Sequence, residues 1–308
     1  MDRFESMSAF VAVVQAGGFS AASRQLGTPL ASLSRRVSEL EDQLGAQLLD
    51  RSTKRVELTE RGRQYLEACR SILEDVSEAE RAVSDESLIA RGELVVAAPI
   101  VFGRLHVVPV VAAFLKAHGE VEVEVRQSDR FANLVGEGVD LAVRIGELSD
   151  SSDMATRVGV SPWIFCASPR YLAERGTPRR PSDLAQHDCI TYSSSPLVGD
   201  WEFKIAGANA AVQVEGRLAI TNAEAALDAA AAGAGVARAM LYQAAQAVAE
   251  GRLVPVLADY APNPYPVSLV YRAGIVPAKL RAFLDFAAPR LKSRLQALMA
   301  SPTNRATG

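Results

Sequence analysis

Three short helical segments separated by glycines make up residues 1–45, and this arrangement constrains the fold more than any other feature of the chain. Apolar residues recur at helical intervals in each segment, which predicts one buried face per helix. Gly17-Gly18, Gly27 and Gly45 are expected to end the helices, with Ser20 and Thr28 as N-caps of the second and third. Two helices joined by a tight glycine-containing turn are typical of a helix-turn-helix, here at about residues 19–38.

The third helix is the one that enters the major groove in a helix-turn-helix. Arg35 is expected to bind guanine bidentately or to clamp a phosphate, and Ser34 to donate to either. Short strands at 47–51 and 56–58 are predicted to flank a basic loop that suits phosphates or the minor groove. The candidate DNA-binding residues are Ser20, Thr28, Leu30, Ala31, Ser34, Arg35, Arg36, Arg51, Lys54 and Arg55. The alternative is a packing module with a solvated basic face.

The ordered motifs of residues 1–60 resemble the winged helix-turn-helix of LysR-type transcriptional regulators. The resemblance rests on Gly18-Phe-Ser-Ala-Ala-Ser-Arg-Gln-Leu26, Leu33-Ser-Arg-Arg-Val37, Leu48-Leu-Asp-Arg51 and Leu58-Thr59, and the family's length and two-part layout fit the chain. It implies sequence-specific binding to double-stranded promoter DNA, with RNA polymerase as a further partner of an activator. Many members have polar residues where this chain has Leu30 and Ala31, so thymine methyl contacts and DNA shape are expected to contribute more to readout.

A long helix is predicted from Thr59 to about Ser84, and it forms a linker over residues 61–90. Its apolar positions lie close to a heptad seam, which needs a partner surface. The resemblance implies that two chains pair through this seam, in a homodimer or a homotetramer. The alternative is that the seam packs on its own domain. The candidate dimerisation residues are Leu66, Cys69, Leu73, Val76 and Val83.

From residue 91 onward, strand-like runs alternate with helical stretches in an α/β pattern. The resemblance implies two lobes with a small-molecule cleft between them. The predicted fold is an N-terminal all-α winged helix-turn-helix with a long linker helix, then a C-terminal α/β two-lobe periplasmic-binding-protein-like domain. The boundaries are 1–60 for the DNA-binding domain, 61–90 for the linker, 91–298 for the effector-binding domain and 299–308 for a flexible tail. Lobe I comprises 91–162 and 267–298, and lobe II comprises 163–266.

Strand ends and helix starts supply the candidate effector contacts, because ligands of such clefts bind there. These contacts are Ile100, Val101, Ser128, Asp129, Arg144, Thr221 and Asn222. Arg144 and two positive helix ends favour a carboxylate or another anion, whereas Ile100 and Val101 favour a more apolar effector. The alternative for Arg144 is a structural salt bridge with Asp129 or Glu147.

Charge and residue counts exclude several classes of function. A net charge of −3 excludes a uniformly basic nucleic-acid coat but allows a local basic face. Three cysteines without a CxxC pair argue against a zinc finger or a disulfide framework, and three histidines against a His-rich metal cluster. No cofactor or metal is therefore expected. Neither a membrane-spanning apolar run nor a signal peptide is recognised, which favours a cytoplasmic protein that contacts no membrane.

Two other functions compete with an effector-switched regulator. An α/β enzyme is one, since His187, Asp188 and Cys189 are adjacent. Neighbours on a strand point to opposite faces, however, and no nucleophile elbow, Walker loop or dinucleotide fingerprint is found, so we expect no enzyme and no catalytic residue. The other is a DNA-binding protein with a redox signal from Cys166 and Cys189, although the sequence around Cys166 is typical of a buried strand.

Overall fold

The computed structural model describes residues 2–50, 56–82, 89–130, 133–134, 136–148, 152–192 and 198–300. The N-terminal unit consists of α1 (Arg3–Gln15), α2 (Phe19–Leu26), α3 (Leu30–Leu44), β1 (Leu49–Asp50), β2 (Glu57–Leu58) and the long helix α4 (Glu60–Ala82). The two short strands pair antiparallel and form the base of a wing. The side chains buried inside this unit include Phe10, Val13, Leu33, Val37 and Leu40, which recur on one face of α1 or α3.

The start of α2 differs from the sequence prediction. Helix α2 begins at Phe19, with Gly18 in the N-cap position, so Ser20 is its second residue and not its cap. Because glycine allows the backbone to turn sharply into the helix, no hydroxyl cap is required there. The predicted end is confirmed, since Gly27 adopts the left-handed conformation at φ 62°.

The start of α3 also differs by one residue. Pro29 occupies the N-cap position with φ −55° and ψ 135°, and its carbonyl accepts hydrogen bonds from the backbone N–H groups of Ser32 and Leu33. Thr28 is therefore not the cap. Its hydroxyl instead donates to the Leu26 carbonyl at 3.4 Å. Proline takes this position because its φ is already compatible with the residue that precedes a helix.

The first half of α4 packs on its own N-terminal unit. Leu66 is 5% exposed and Cys69 is fully buried in the same apolar cluster as Phe10, and Leu73 packs against that cluster. The prediction of a dimer seam is therefore wrong for Leu66 and Cys69, because their own domain covers them. Val76 is partly exposed, and Val83 lies outside the described residues.

The remaining chain forms two lobes. Lobe I begins with β3 (Gly92–Ala98), α5 (Ile100–Phe102), a π-helical turn (Gly103–Val107), α6 (Val108–Ala117), β4 (Val121–Gln127), β5 (Leu141–Ile145) and β6 (Met154–Ser161). Lobe II follows with β7 (Trp163–Ala167), α7 (Pro169–Arg175), a 3-10 turn (Pro181–Gln186), β8 (Cys189–Tyr192), β9 (Val198–Ile205), β10 (Ala208–Glu215), β11 (Leu218–Ile220), α8 (Ala223–Ala231), β12 (Val236–Met240), α9 (Leu241–Ala249), β13 (Val254–Val256) and a 3-10 turn (Ala258–Tyr260). The chain returns to lobe I with β14 (Tyr265–Tyr271) and α10 (Ala278–Ala300).

A five-stranded sheet forms the centre of each lobe, in the order β4-β3-β5-β14-β6 in lobe I and β11-β8-β12-β7-β13 in lobe II. In lobe I, β3 runs parallel to β4 and β5, while β14 is antiparallel to β5 and β6. The chain crosses between the lobes at Pro162 and again between Tyr260 and Tyr265. Residues 265–266, which the sequence analysis assigned to lobe II, therefore open a strand of lobe I.

Apolar side chains fill both lobes. In lobe I, Phe102, Phe114 and Phe283 are buried between the sheet and its helices. The helical run Ile100–Ala117 is long and apolar enough to cross a membrane by composition, but Phe102 and Phe114 belong to this core, which identifies it as a core helix. In lobe II, α8 and α9 cover one face of the sheet and the β9–β10 hairpin covers the other.

Helix α10 extends past residue 298, the predicted end of the effector-binding domain, and joins the two lobes. Leu291 and Leu295 are buried in the core of lobe I, whereas Leu298 and Met299 pack against the core of lobe II. The predicted flexible tail is therefore wrong for residues 299–300, which are helical, and 301–308 lie outside the described residues.

Candidate functional sites

The N-terminal half of α3 presents an exposed surface. Leu33 and Val37 point into the core, so the opposite side of the helix faces outward. Leu30 is 48% exposed, Ala31 is exposed and Ser34 is partly exposed. An exposed leucine at this place suits contact with the methyl group of thymine. Leu26, at the end of α2, is 49% exposed and was not singled out by the sequence analysis.

Two neighbouring arginines on α3 have different surroundings. The side chain of Arg35 is 74% exposed, and its Nε lies 3.6 Å from Glu39 Oε1 one turn along the helix. Arg36 is 34% exposed and its Nη2 lies 2.9 Å from Glu5 Oε2 on α1. Arg35 therefore projects toward the exposed surface, whereas Arg36 is held against α1. Of the two predicted DNA contacts, the geometry favours Arg35.

The base of the wing is held between α3 and α4. The Glu41 side chain on α3 accepts hydrogen bonds at Oε1 from the backbone N–H groups of Leu48 at 2.8 Å and Leu49 at 3.1 Å. Thr59 caps α4 by accepting from Gly62 N at 2.9 Å, as predicted. A side chain on Gly62 would collide with the Leu48 carbonyl oxygen. The candidate contacts Arg51, Lys54 and Arg55 lie outside the described residues.

The candidate effector contacts at the start of α5 are not all available to a ligand. Val101 is 2% exposed in the core of lobe I, so the prediction for Val101 is wrong. Ile100 is partly exposed, and its N–H donates to Asp129 Oδ1 at 3.1 Å. The hydroxyl of Ser128 accepts from Arg130 N at 3.1 Å. The carboxylate of Asp129 already accepts a hydrogen bond at this helix start. Fewer free backbone N–H groups are therefore left there for an effector anion than expected.

The helix start in lobe II is also occupied by groups of the chain. The Asn222 side chain caps α8 by accepting from Ala225 N at 2.9 Å, and Thr221 is exposed. Glu224, in the first turn of α8, forms an ion pair with Arg104 from the π-helical turn of lobe I. This pair connects the two lobes directly, and no local sequence pattern indicates it.

Arg144 lies near the end of β5 and is partly buried. It is in register with Ser268 of β14, and two residues later the Gly146 N–H donates to the Pro266 carbonyl at 2.9 Å. Arg144 is therefore close to the second crossover between the lobes. Its two predicted roles, as an anion ligand or in a structural salt bridge, stay predictions.

His106 is a second contact point between the lobes. Its ring centre lies 4.7 Å from that of Phe102 in lobe I and 5.8 Å from that of Tyr242 on α9 in lobe II. His106 is 9% exposed, and its ring nitrogens make no hydrogen bond with any residue that the structure describes. Burial, with a smaller effect of Arg294, lowers the pKa of His106 to about 4. The ring is therefore neutral at pH 7.

Burial determines the state of the cysteines. Cys166 and Cys189 belong to apolar clusters on opposite faces of the lobe II sheet. Burial raises the pKa of each thiol to about 12 and that of Cys69 to about 11. These surroundings disfavour both a redox pair and a thiolate nucleophile. The His187 ring contacts Tyr171 instead, with Nδ1 3.3 Å from its hydroxyl oxygen.

Two family models match the chain. They are described as "Bacterial regulatory helix-turn-helix protein, lysR family", over residues 4–63, and "LysR substrate binding domain", over residues 89–292. The HTH-type transcriptional activator AaeR of Escherichia coli (strain K12) is 32% identical over 274 residues, which is 88% of this chain and 88% of AaeR.

Solved structures are similar over nearly the whole chain. The structure of CrgA, a LysR-type transcriptional regulator from Neisseria meningitidis, matches with a TM-score of 0.60 and 30% identity, covering 93% of this chain and 98% of CrgA. The full-length structure of AphB, a virulence activator of Vibrio cholerae, matches with a TM-score of 0.59 and 27% identity, covering 93% and 98%.

Proposed function

Because the chain belongs to the LysR family of bacterial transcriptional regulators, we propose that it reads DNA with α3 and senses a small effector between its two lobes. The chain is a DNA-binding transcriptional regulator with an effector-binding domain. The proposal also includes the residues that contact DNA and effector, the oligomeric state and the cytoplasmic location. We assign it no catalytic step.

The exposed N-terminal half of α3 is the observation that carries the DNA-binding part of this proposal. Leu30, Ala31, Ser34 and Arg35 form one outward surface, while Arg36 is engaged with Glu5. An arginine in this position discriminates guanine by paired hydrogen bonds, and an apolar neighbour favours thymine. The wing, with Arg51, Lys54 and Arg55, supplies phosphate contacts that position α3 without selecting sequence.

Selection from a pool of randomised duplexes tests whether the chain recognises a sequence. We expect enrichment of a site with two related half-sites, each with guanine and thymine at fixed positions. Affinity for the enriched duplex should exceed that for a scrambled one by at least about 1,000-fold at physiological salt. Equal affinity for both duplexes would show that the N-terminal unit binds DNA without reading it.

The proposed assembly is a homodimer or a homotetramer that places two α3 helices on two-fold-related half-sites. Leu73 and Val76 remain the proposed contacts on α4, together with Ile72, which is 37% exposed. Light scattering of the full chain measures the mass of the assembly. If the protein is an activator, RNA polymerase is a further partner.

The proposed effector site is the cleft between the lobes, beside the Arg104–Glu224 pair. A ligand there would change how the lobes contact each other, and through the assembly the spacing of the DNA-binding units. Thermal unfolding of the full chain against organic acids, aromatics, amino acids and sugars tests this. A ligand at 100 times its dissociation constant should add roughly 2.7 kcal/mol of stability. The gain should be lost in Arg144→Ala and kept in Arg157→Ala, which changes an exposed arginine of β6.

A further inference from the structure

An arginine at the hinge between the lobes indicates the type of ligand that the cleft accepts. Arg238 lies on β12 of lobe II, with its guanidinium carbon 4.0 Å from the centre of the Trp163 ring. Trp163 opens β7 directly after Pro162, and its ring lies edge-on to that of Tyr265 at 5.4 Å. Tyr265 opens β14 at the other crossover. Arg238, Trp163 and Tyr265, named here the hinge cluster, therefore connect both crossovers.

The guanidinium of Arg238 is partly buried and forms no hydrogen bond or close ion pair with any residue that the structure describes. Its guanidinium carbon lies over the face of the Trp163 ring. Burial lowers the pKa of Arg238, while Tyr265 and Glu202 act in the opposite direction. Glu202 is exposed, and Tyr265 donates to its Oε2 at 3.5 Å. Removing a guanidinium from water is costly unless an anion pairs with it.

Two further buried polar groups lie at the same crossover. The Ser161 hydroxyl is completely buried, and neither it nor Trp163 Nε1 has a hydrogen-bond partner in the described part of the chain. On the side of lobe I, Gly146 lies against Tyr265. A Cβ added to Gly146 would be 3.9 Å from Cδ2 of the Tyr265 ring. Two buried groups that can donate hydrogen bonds therefore lie at this crossover, and the loop after β5 lies next to it.

We propose that Arg238 is an anion-binding residue of the cleft, in addition to Arg144, and that the effector carries a carboxylate. The planar guanidinium matches a carboxylate with two parallel hydrogen bonds, and stacking on Trp163 holds it in the required orientation. The negative charge of Glu202 nearby favours a single-charged carboxylate over a phosphate dianion. This inference rests on the proposed function, because it takes the cleft between the lobes as the effector site.

Trp163 provides a direct reporter of this site. The chain has two tryptophans, so Trp201→Phe leaves Trp163 as the single tryptophan, which is excited selectively on the long-wavelength side of tyrosine absorption. We would titrate this full-length variant with acetate, benzoate and iodide at constant ionic strength, using benzamide and acrylamide as neutral counterparts. Benzoate should change the emission saturably at concentrations at least about tenfold below those that benzamide requires. Iodide should quench Trp163 more efficiently than acrylamide does.

Substitutions of Arg238 test whether it is the binding residue. In the same background, Arg238→Met should weaken the benzoate response at least about tenfold and abolish the preference for iodide over acrylamide. Arg238→Lys keeps the positive charge but loses the planar guanidinium that can form two parallel hydrogen bonds. Its response to benzoate should be intermediate between those of the parent and Arg238→Met. Arg290→Met is the matched control. Arg290 also lies over an aromatic ring, that of Phe286 at 3.5 Å, but on α10, and its loss should change nothing.

The proposal is overturned if none of the anions changes Trp163 emission, or if Arg238→Met responds like the parent while its circular dichroism shows that it is folded. Its failure is distinguishable from failure of the proposed function. An effector that alters DNA affinity equally in the parent and in Arg238→Met would refute the role of Arg238 and leave the regulatory cleft intact. Anion binding that Arg238→Met removes, without any effect on DNA affinity, would support the site and refute its role in regulation.

Discussion

His106 couples the stability of the protein to pH. Burial lowers its pKa from 6.5 to about 4, so protonation is less favourable in the folded state than in the unfolded state. The resulting stabilisation is fully present above pH 6.5 and is lost as pH falls toward 4. By this linkage, the free energy of unfolding should fall by about 2 kcal/mol between pH 8 and pH 5 because of His106 alone.

Urea unfolding of wild type and His106→Phe at these two pH values measures this contribution. We expect wild type to lose about 2 kcal/mol more than the variant over the interval, because phenylalanine keeps the packing on Phe102 and Tyr242 but does not titrate. His118→Phe, at a half-exposed ring stacked on Phe114, is the control for removal of a histidine. If the free energy of unfolding falls equally in wild type and His106→Phe between pH 8 and pH 5, His106 does not contribute to the pH dependence of stability.

Individual side chains were predictable where a helical face determined their direction. Leu33 and Val37 are buried while Leu30 and Arg35 are exposed, which agrees with the prediction of one buried face per helix, because residues one turn apart share a face. Val101 was misassigned because it follows a strand, at a position where ligand contacts are often found. The direction of its side chain depends instead on how the helix packs on the sheet. Arg238 was missed because it lies in an apolar strand and carries no motif.

Among the structural elements, the wing is connected to α3 by the carboxylate of Glu41. Replacing Glu41 by alanine would leave the N–H groups of Leu48 and Leu49 without this acceptor, which should destabilise the wing by about 1–3 kcal/mol. The amide hydrogens of Leu48 and Leu49 should then exchange faster by roughly tenfold or more, and DNA affinity should fall because the wing is no longer positioned.

Glu39→Ala serves as the control for this substitution. Glu39 lies on the same helix but is 42% exposed, and its carboxylate pairs with the side chain of Arg35. Exchange at Leu48 and Leu49 should stay unchanged in Glu39→Ala. Unchanged exchange in Glu41→Ala as well would mean that the antiparallel strand pairing holds the wing without the carboxylate.

The order of the elements was largely predictable from periodicity and from glycines, but their exact starts were not. Gly27 and Gly45 end helices as expected, since few other residues adopt the left-handed conformation easily. Ser20 and Thr28 were assigned as caps because their side chains are suited to that role, yet Gly18 and Pro29 occupy those positions. Tertiary packing determines which surface covers Leu66 and Cys69. An apolar seam in the sequence does not specify whether the covering surface is α1 of the same chain or a second chain.

At the scale of the whole molecule, effector and DNA should influence each other reciprocally. If an effector bound in the cleft raises or lowers DNA affinity by some factor, DNA must change effector affinity by the same factor. Titrating the effector with and without saturating DNA, and DNA with and without effector, tests the equality. Factors that differ would show that the effector acts by another route, such as a change in oligomeric state.

Contacts between the lobes could not be read from local sequence patterns. Arg104 and Glu224 are 120 residues apart, and Trp163 and Tyr265 meet only because the chain crosses between the lobes twice. The two-lobe layout was implied by the resemblance, with the second crossover displaced by a few residues. The resemblance did not indicate which polar groups of the cleft are already paired with other groups of the chain.

In the proposed function, the protein reads DNA through the exposed half of α3. Fluorescence anisotropy of the enriched duplex, titrated at fixed salt with wild type, Arg35→Ala and Arg36→Ala, tests it most directly. We predict that Arg35→Ala weakens binding by about 1–3 kcal/mol on that duplex and much less on a scrambled one. Arg36→Ala should remain close to wild type, because Arg36 is paired with Glu5. Unchanged affinity of Arg35→Ala for the enriched duplex would contradict the claim.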